Sequence, residues 1–254
     1  MKSLKIYLPV GLALGAVGLA FALAPVPVPP AYHQFADQRT LMGVPHFGDM
    51  VSNLGLAIAG LIGLAGMKQA RERWFRESGR EYGLYLFYFW AITLSAVGSA
   101  YYHWAPGDAP LFWDRLPITM AFMALFALFV ADRVDRGLGT RWAFPGFLIL
   151  GIGALLHWRL SLDGAGGDQR FYLLVQIIPI LVIPVLCWLY AGRATDGRHV
   201  AFMFALYGLA KLAEHQDREV MDLLGGVISG HSVKHLLAAG AAIMVISMLR
   251  RKIS

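Results

Sequence analysis

Long apolar stretches separated by short polar connections form the dominant pattern of this chain. A run of roughly 17–25 mostly apolar residues is long enough to cross a bilayer as one helix. The pattern predicts eight such segments, and the seventh is the weakest because it is short and carries Lys211 and Glu214. The segments are Ile6–Ala24, Met50–Met67, Tyr82–His103, Asp114–Ala131, Trp142–Trp158, Phe171–Ala191, Val200–Ala213 and Gly230–Leu249.

The predicted fold is an all-α integral membrane protein with a seven-helix core bundle (31–254) and one N-terminal transmembrane helix (1–30). The connections are too short to hold a soluble domain. The first segment also has the features of a signal peptide, with Lys2 and Lys5 before an apolar stretch and a small-residue cleavage site at 22–24. An uncleaved helix is favoured because the stretch is longer than a typical signal core and Pro25 follows it directly.

Composition and charge agree with a membrane protein. The chain is 57% hydrophobic and only 15% charged, and its mean hydropathy of +0.56 exceeds that of an ordinary soluble domain. If the N-terminus is cytoplasmic, most of the 22 Lys and Arg residues fall on the cytoplasmic side, as the positive-inside rule requires. Both termini are then cytoplasmic. The net charge of +6 follows from this topology, and its spread over separate loops argues against a nucleic-acid partner.

Three histidines and one aspartate lie at the same predicted membrane edge. His103 ends the third segment, Asp114 begins the fourth, and His231 and His235 begin the eighth, all towards the outer face. Ionisable groups are costly inside a membrane and mark functional sites there. The topology, which was assigned without these residues, therefore predicts that three helices bring polar groups to one depth.

The spacing of these residues favours a metal site. Ser99 and His103 are four residues apart, as are His231 and His235, so each pair shares one helix face. Three histidines are the protein ligand set of a catalytic zinc, which lowers the pKa of a bound water. A carboxylate at Asp114 could accept the proton of that water, and the Ser99 hydroxyl could donate to a developing oxyanion. A haem ligand pair or a polar contact between helices is the competing interpretation of the HxxxH spacing, although no CxxCH attachment motif is present.

The remaining polar residues receive simpler interpretations. Lys211 and Glu214 lie within one helical turn and are expected to form an ion pair, while Asp37 and Arg39 could brace the outer face. Arg115 could hold Asp114 ionised or could lie at the interface. Structural or solvent-exposed roles are expected for five histidines and for an unreactive Cys187 packed in an apolar run; the histidines are His33, His46, His157, His199 and His215. The acidic loop of Asp217, Glu219 and Asp222 is interpreted as solvent-exposed, or alternatively as an approach for a cationic headgroup.

At these residues the chain resembles the alkaline ceramidase family, which belongs to the CREST group of seven-helix membrane hydrolases. The resemblance rests on GSAYYH ending at His103, Asp114 eleven residues later, and HSVKH at 231–235. It covers about 32–249, including the stretch MVSNLGLAIAG, which is similar to the first core helix of the ceramidases.

The resemblance implies that His103, His231 and His235 bind zinc, that Asp114 acts on the water and that Ser99 assists the oxyanion. The implied reaction is hydrolysis of an N-acyl lipid amide to a fatty acid and a sphingoid-type base, with a membrane lipid as the partner and no protein partner indicated. No calcium site is predicted, because the stretch before the first core helix lacks the dense carboxylate cluster of animal members. The alternative is a membrane receptor or scaffold in which the same histidines hold a structural metal.

Overall fold

The structure is a computed structural model that describes residues 2–75, 79–163 and 166–250. The described chain is 80% helical and contains no β-strand. Its α-helices are α1 (Lys2–Ala22), α2 (Phe47–Trp74), α3 (Gly79–Trp104), α4 (Asp108–Arg133), α5 (Phe144–Leu160), α6 (Arg170–Leu189), α7 (Gly197–His215), α8 (Asp217–Leu223) and α9 (Gly230–Arg250). A short 3₁₀ turn (Pro30–His33) lies before α2, and a π-helical stretch (Leu138–Ala143) leads into α5.

Seven of the described helices are long and apolar enough to cross a membrane. This confirms the all-α membrane fold and a chain that crosses the membrane several times. The seventh predicted segment also forms a helix, α7, but it carries Arg198, Lys211 and Glu214 and is not among those seven. Its passage through the membrane therefore stays a prediction.

The fourth segment begins earlier than predicted. Helix α4 starts at Asp108, so Asp114 lies in its second turn and the connection from α3 shortens to residues 105–107. Pro110 lies in the first turn of α4, where a proline costs no hydrogen bond because the N–H groups there have no partner within the helix. Asp108 in the first turn also interacts favourably with the helix dipole. The acidic loop likewise contains a short helix, α8, that the pattern did not predict.

The helices surround a central cavity. Helix α9 packs against α2 and α7, α2 packs against α3, and α3 packs against α4. Helix α4 also contacts α5 and α6, and the N-terminal helix α1 lies along α6. Helices α6 and α7 both line the cavity but do not pack closely against each other. The bundle is therefore least tightly closed between α6 and α7.

Exposed tryptophans lie at both ends of the bundle. Trp104 and Trp113 flank the connection between α3 and α4, whereas Trp142 and Trp188 lie at the opposite end, and all four are more than half exposed. Tryptophan concentrates at the two membrane–water interfaces because its ring is apolar and its N–H is polar. This distribution fits a bundle that spans a bilayer.

Candidate metal centre

The structure brings the three predicted histidines together. His103 at the end of α3 and His231 and His235 at the start of α9 each offer a ligand atom, and these atoms lie within 4.8 Å of one another. All three side chains are buried, with relative exposures of 0%, 7% and 3%. The cluster has the ligand number and geometry to hold a metal ion, as the sequence predicted.

The surroundings of His103 indicate whether a metal ion would fit the histidine cluster. Both of its ring nitrogens are buried and have no hydrogen-bond partner in the described part of the chain. A neutral imidazole has one donor and one acceptor nitrogen, and burying both unpaired costs free energy. A cation bound to the lone pair would satisfy the acceptor. Three nitrogen donors with an open fourth position are a set that suits zinc.

The ring of His235 is oriented by a neighbour on α2. Its Nδ1 lies 2.7 Å from Ser52 Oγ, and that hydroxyl donates to the Asp49 carbonyl oxygen at 3.0 Å. Because the Ser52 proton is used there, Ser52 Oγ accepts the hydrogen bond from Nδ1–H of His235. This assignment leaves Nε2 unprotonated, so its lone pair, which lies 3.3 Å from the Ser99 hydroxyl, can bind a metal. Ser52 was not identified from the sequence as part of the site.

The ring of His231 contacts a lysine on its own helix. The Lys234 ammonium lies 2.8 Å from His231 Nε2 and donates to Glu214 Oε1 at 2.9 Å. Glu214 also accepts from Lys211 at 2.8 Å, which confirms the ion pair expected between those two residues. Lys234 therefore competes with a metal for the lone pair of Nε2. Its position three residues after His231 was the sequence signal for this contact.

Ser99 and Asp114 lie beside the histidines because α3 and α4 approach closely. A side chain at Gly98 would collide with the Trp113 carbonyl oxygen, and its Cβ would lie 3.3 Å from Asp114 Cα. Ser99 Oγ lies 3.3 Å from His235 Nε2. The Ser99 and Asp114 side chains are both buried and line the same cavity as His235. The structure thus assembles all five predicted site residues.

The cavity extends from this polar end into the apolar centre of the bundle. Its volume is about 190 Å³. Ser99, Asp114 and His235 line the polar end, and Leu125 and Ile183 are among the many apolar residues along the rest. A space of this kind suits a molecule with a reactive polar group and a hydrocarbon chain.

Phe35 covers the histidines on the side of the connection between α1 and α2. Its ring centroid lies 4.4 Å from that of His103 and 4.8 Å from that of His231. The segment that carries Phe35 is fastened by Arg39, which donates to Asp37 at 2.7 Å and to the Gly226 carbonyl at 2.8 Å. This contact agrees with the bracing role expected of Asp37 and Arg39, and the apolar ring of Phe35 limits access to the histidines from that side.

The Asp37 carboxylate is stabilised in its ionised form. Burial by itself would raise the pKa of Asp37, but hydrogen bonds from the Arg39 side chain and backbone and from the Gly48 N–H outweigh it. The pKa of Asp37 is therefore below its ordinary value.

Four of the other histidines have polar partners outside the cluster. His33 contacts Tyr102 and Asp108, His46 contacts the Asp37 carbonyl, His157 contacts Asp168, and His199 contacts Asp196. These contacts agree with the structural roles expected of those four. Within residues 2–75, 79–163 and 166–250, the group that satisfies the metal geometry is the one formed by His103, His231 and His235.

Asp49 on α2 is hydrogen-bonded to residues at the start of α9. Its Oδ1 accepts hydrogen bonds from Ser229 Oγ at 2.5 Å and from Ser232 Oγ at 2.7 Å. The backbone N–H of His231 donates to Asp217 Oδ1 at 2.8 Å, which satisfies a free donor in the first turn of α9. These contacts set the position of the helix end that carries two of the three histidines. The sequence interpretation assigned no such role to Asp49 or Asp217.

No protein-family model matches this chain, and no curated protein matches it in a sequence search. The resemblance to alkaline ceramidases therefore rests on the site residues and their spacing alone.

Proposed function

We propose that this protein is a zinc-dependent membrane amidase that hydrolyses the N-acyl bond of a ceramide-like lipid. The observation that carries the proposal is the position of the three buried histidines, beside a buried serine and a buried carboxylate at the polar end of an apolar cavity. Amide hydrolysis needs activation of water, proton transfer and stabilisation of an oxyanion, and this set of residues has a group suited to each.

His103, His231 and His235 would hold the zinc. When bound, zinc polarises a carbonyl and lowers the pKa of water. The Ser52 contact keeps the His235 ring in the tautomer that exposes Nε2 to the cluster. The orphaned nitrogens of His103 fit the same role.

Asp114 moves the proton. It accepts the proton that the attacking water loses, and it delivers that proton to the amide nitrogen as the C–N bond breaks. The water oxygen stays on the acyl carbon, so the products are a fatty acid and an amine, here a sphingoid-type base. The Ser99 hydroxyl donates a hydrogen bond to the carbonyl oxygen as negative charge develops there, and it keeps its proton.

The arrangement of α6 and α7 supports a lipid substrate. The two helices face each other across the cavity and are bridged by a hydrogen bond from Tyr207 Oη to Gln176 Oε1 at 2.5 Å. A lipid in the bilayer could enter between them without leaving the hydrocarbon region. The proposed orientation has cytoplasmic termini and the metal centre towards the outer face, as the distribution of Lys and Arg predicts.

The first experiment measures zinc and turnover in the same preparation. Full-length protein purified without chelator is expected to hold about one zinc per chain and to release fatty acid from a ceramide. The double variant His231→Ala, His235→Ala should lose both, whereas His157→Ala, a half-exposed histidine outside the cluster, should keep both. Absence of zinc from the wild-type protein would refute the proposal. Zinc without hydrolysis of any N-acyl lipid would favour the receptor or scaffold with a structural metal.

A further inference from the structure

Arg115 is a buried cation with unused hydrogen-bond donors. It follows Asp114 on α4, lines the same cavity and is only 3% exposed. Its Nη2 donates to Gln169 Oε1 at 3.0 Å, but its Nε and Nη1 have no partner among the described residues. Buried guanidinium groups normally use their donors, because leaving them unpaired costs free energy.

Aromatic rings hold the guanidinium in place without using those donors. Its Cζ lies 4.4 Å from the ring centroids of both Trp158 and Tyr172, and 5.5 Å from that of Tyr32. Rings that face a guanidinium stabilise its charge but leave the N–H groups in its plane free. Arg115 is therefore positioned and charged, yet no carboxylate in the described part of the chain forms an ion pair with it.

The charges around the cavity favour an anion. Three cations (Arg115, Lys211 and Lys234) line it together with two carboxylates (Asp114 and Glu214). Both lysines share the one glutamate. With every group ionised, one positive charge remains uncompensated in a largely apolar space, and a bound divalent cation would add to it.

We propose that Arg115 binds an anionic group of the lipid, a carboxylate or a phosphate next to the scissile amide. The inference rests on the proposed function in one respect, since it makes acidic N-acyl lipids the preferred substrates of that amidase. The acyl chain would occupy the apolar part of the cavity, with the amide at Ser99 and Asp114. A guanidinium suits either anion because its planar donors match both.

Binding tests the proposal without turnover. Zinc-free full-length protein in a non-ionic detergent is titrated with N-palmitoylglycine, its methyl ester, ceramide and ceramide phosphate, and binding is followed by calorimetry. The acid, the phosphate or both should bind about 10–100-fold tighter than the uncharged lipids, as expected for a hydrogen bond to a charged group. The tighter of the two anions identifies the source of the charge. Removing zinc ensures that a carboxylate cannot gain affinity from the metal.

Variants assign the preference to Arg115. Arg115→Gln should abolish the preference for anionic lipids, and Arg115→Lys should retain part of that preference. The control is Arg159→Gln, which changes an exposed arginine at the end of α5 and should leave the preference intact. The proposal would be overturned if the wild-type protein bound the acid no tighter than its ester and ceramide phosphate no tighter than ceramide, and these comparisons need no variant to fold. Persistence of the preference in Arg115→Gln would overturn it as well. If the zinc-loaded protein hydrolyses none of the lipids while the zinc-free protein still prefers an anionic lipid, the amidase is refuted and the anion site is supported.

Discussion

Ser52 on α2 and His235 on α9 are joined by a hydrogen bond of 2.7 Å between Oγ and Nδ1. The contact fixes which nitrogen of His235 carries the proton, because the Ser52 hydroxyl is already a donor to the Asp49 carbonyl. A group that orients a metal ligand in this way contributes to affinity although it does not touch the metal. Helix α2 therefore contributes a serine to the candidate metal centre.

Replacing Ser52 should weaken zinc binding. We expect Ser52→Ala to lower zinc affinity by about 10–100-fold, because His235 loses the partner that sets its tautomer and ring angle. Competition with a calibrated chelator measures the change. Ser247→Ala is a suitable control, since that hydroxyl lies further along α9 and bonds to the Met244 carbonyl. Equal affinities for wild type and Ser52→Ala would rule out the orienting role.

Asp114 should be essential for turnover and dispensable for the metal. In Asp114→Asn the side chain keeps its size but no longer accepts a proton from water, so hydrolysis should fall to background. Zinc content and the thermal midpoint should stay close to those of the wild type. Retention of full activity by this variant would exclude the proposed proton transfer.

Ser99 should contribute a measurable but partial effect. Loss of one oxyanion donor typically lowers kcat by about 10²–10³-fold. We expect Ser99→Ala to lower kcat within this range with little change in KM, since the bond strengthens only in the transition state. Steady-state kinetics on one N-acyl lipid can separate the two constants. A change confined to KM would instead indicate a role in substrate binding.

Lys234 should oppose metal binding. A unit charge about 4 Å from another contributes about 1 kcal/mol in water and about 4 kcal/mol at the effective dielectric of a protein. We therefore expect Lys234→Met to bind zinc at least about fivefold tighter, while Glu214 keeps its pairing with Lys211. The control is Lys68→Met, because Lys68 is an exposed lysine near the C-terminal end of α2. Weaker zinc binding in Lys234→Met would show that the lysine supports the site.

The Asp37–Arg39 pair should make stability depend on pH. The folded-state pKa of Asp37 lies below its ordinary value of 3.8. The ionised carboxylate thus stabilises the fold above about pH 4, and this contribution is lost as the pH falls through the folded-state pKa. Asp37→Asn should lower the thermal midpoint at pH 7, and the difference from wild type should shrink below pH 4. The exposed Asp222→Asn variant should show no such difference at pH 7. A difference in thermal midpoint between wild type and Asp37→Asn that stays constant with pH would contradict this explanation.

The membrane fold and the histidine cluster could be predicted because both depend on local patterns. Hydropathy identifies most of the apolar helices, and every crossing reverses the chain direction. With the predicted crossing of α7 included, the pattern predicts that the ends of α3 and α9 that carry His103 and His231 lie at one face. The spacing of His231 and His235 places both rings on one side of α9. The ends of the helices could be predicted less exactly, as the early start of α4 at Asp108 shows. A proline near the start of a helix is compatible both with a loop before the helix and with the first turn of the helix itself.

Tertiary packing decided the surroundings of that cluster. The contact of Ser52 with His235 depends on the rotation of α2 against α9, and the place of Asp114 depends on the close approach of α4 at Gly98. Neither rotation nor approach is encoded in hydropathy, because all faces of a helix in lipid are similarly apolar and side-chain packing selects among them. The unpaired donors of Arg115 are likewise visible only once the rings of Trp158 and Tyr172 are placed around it.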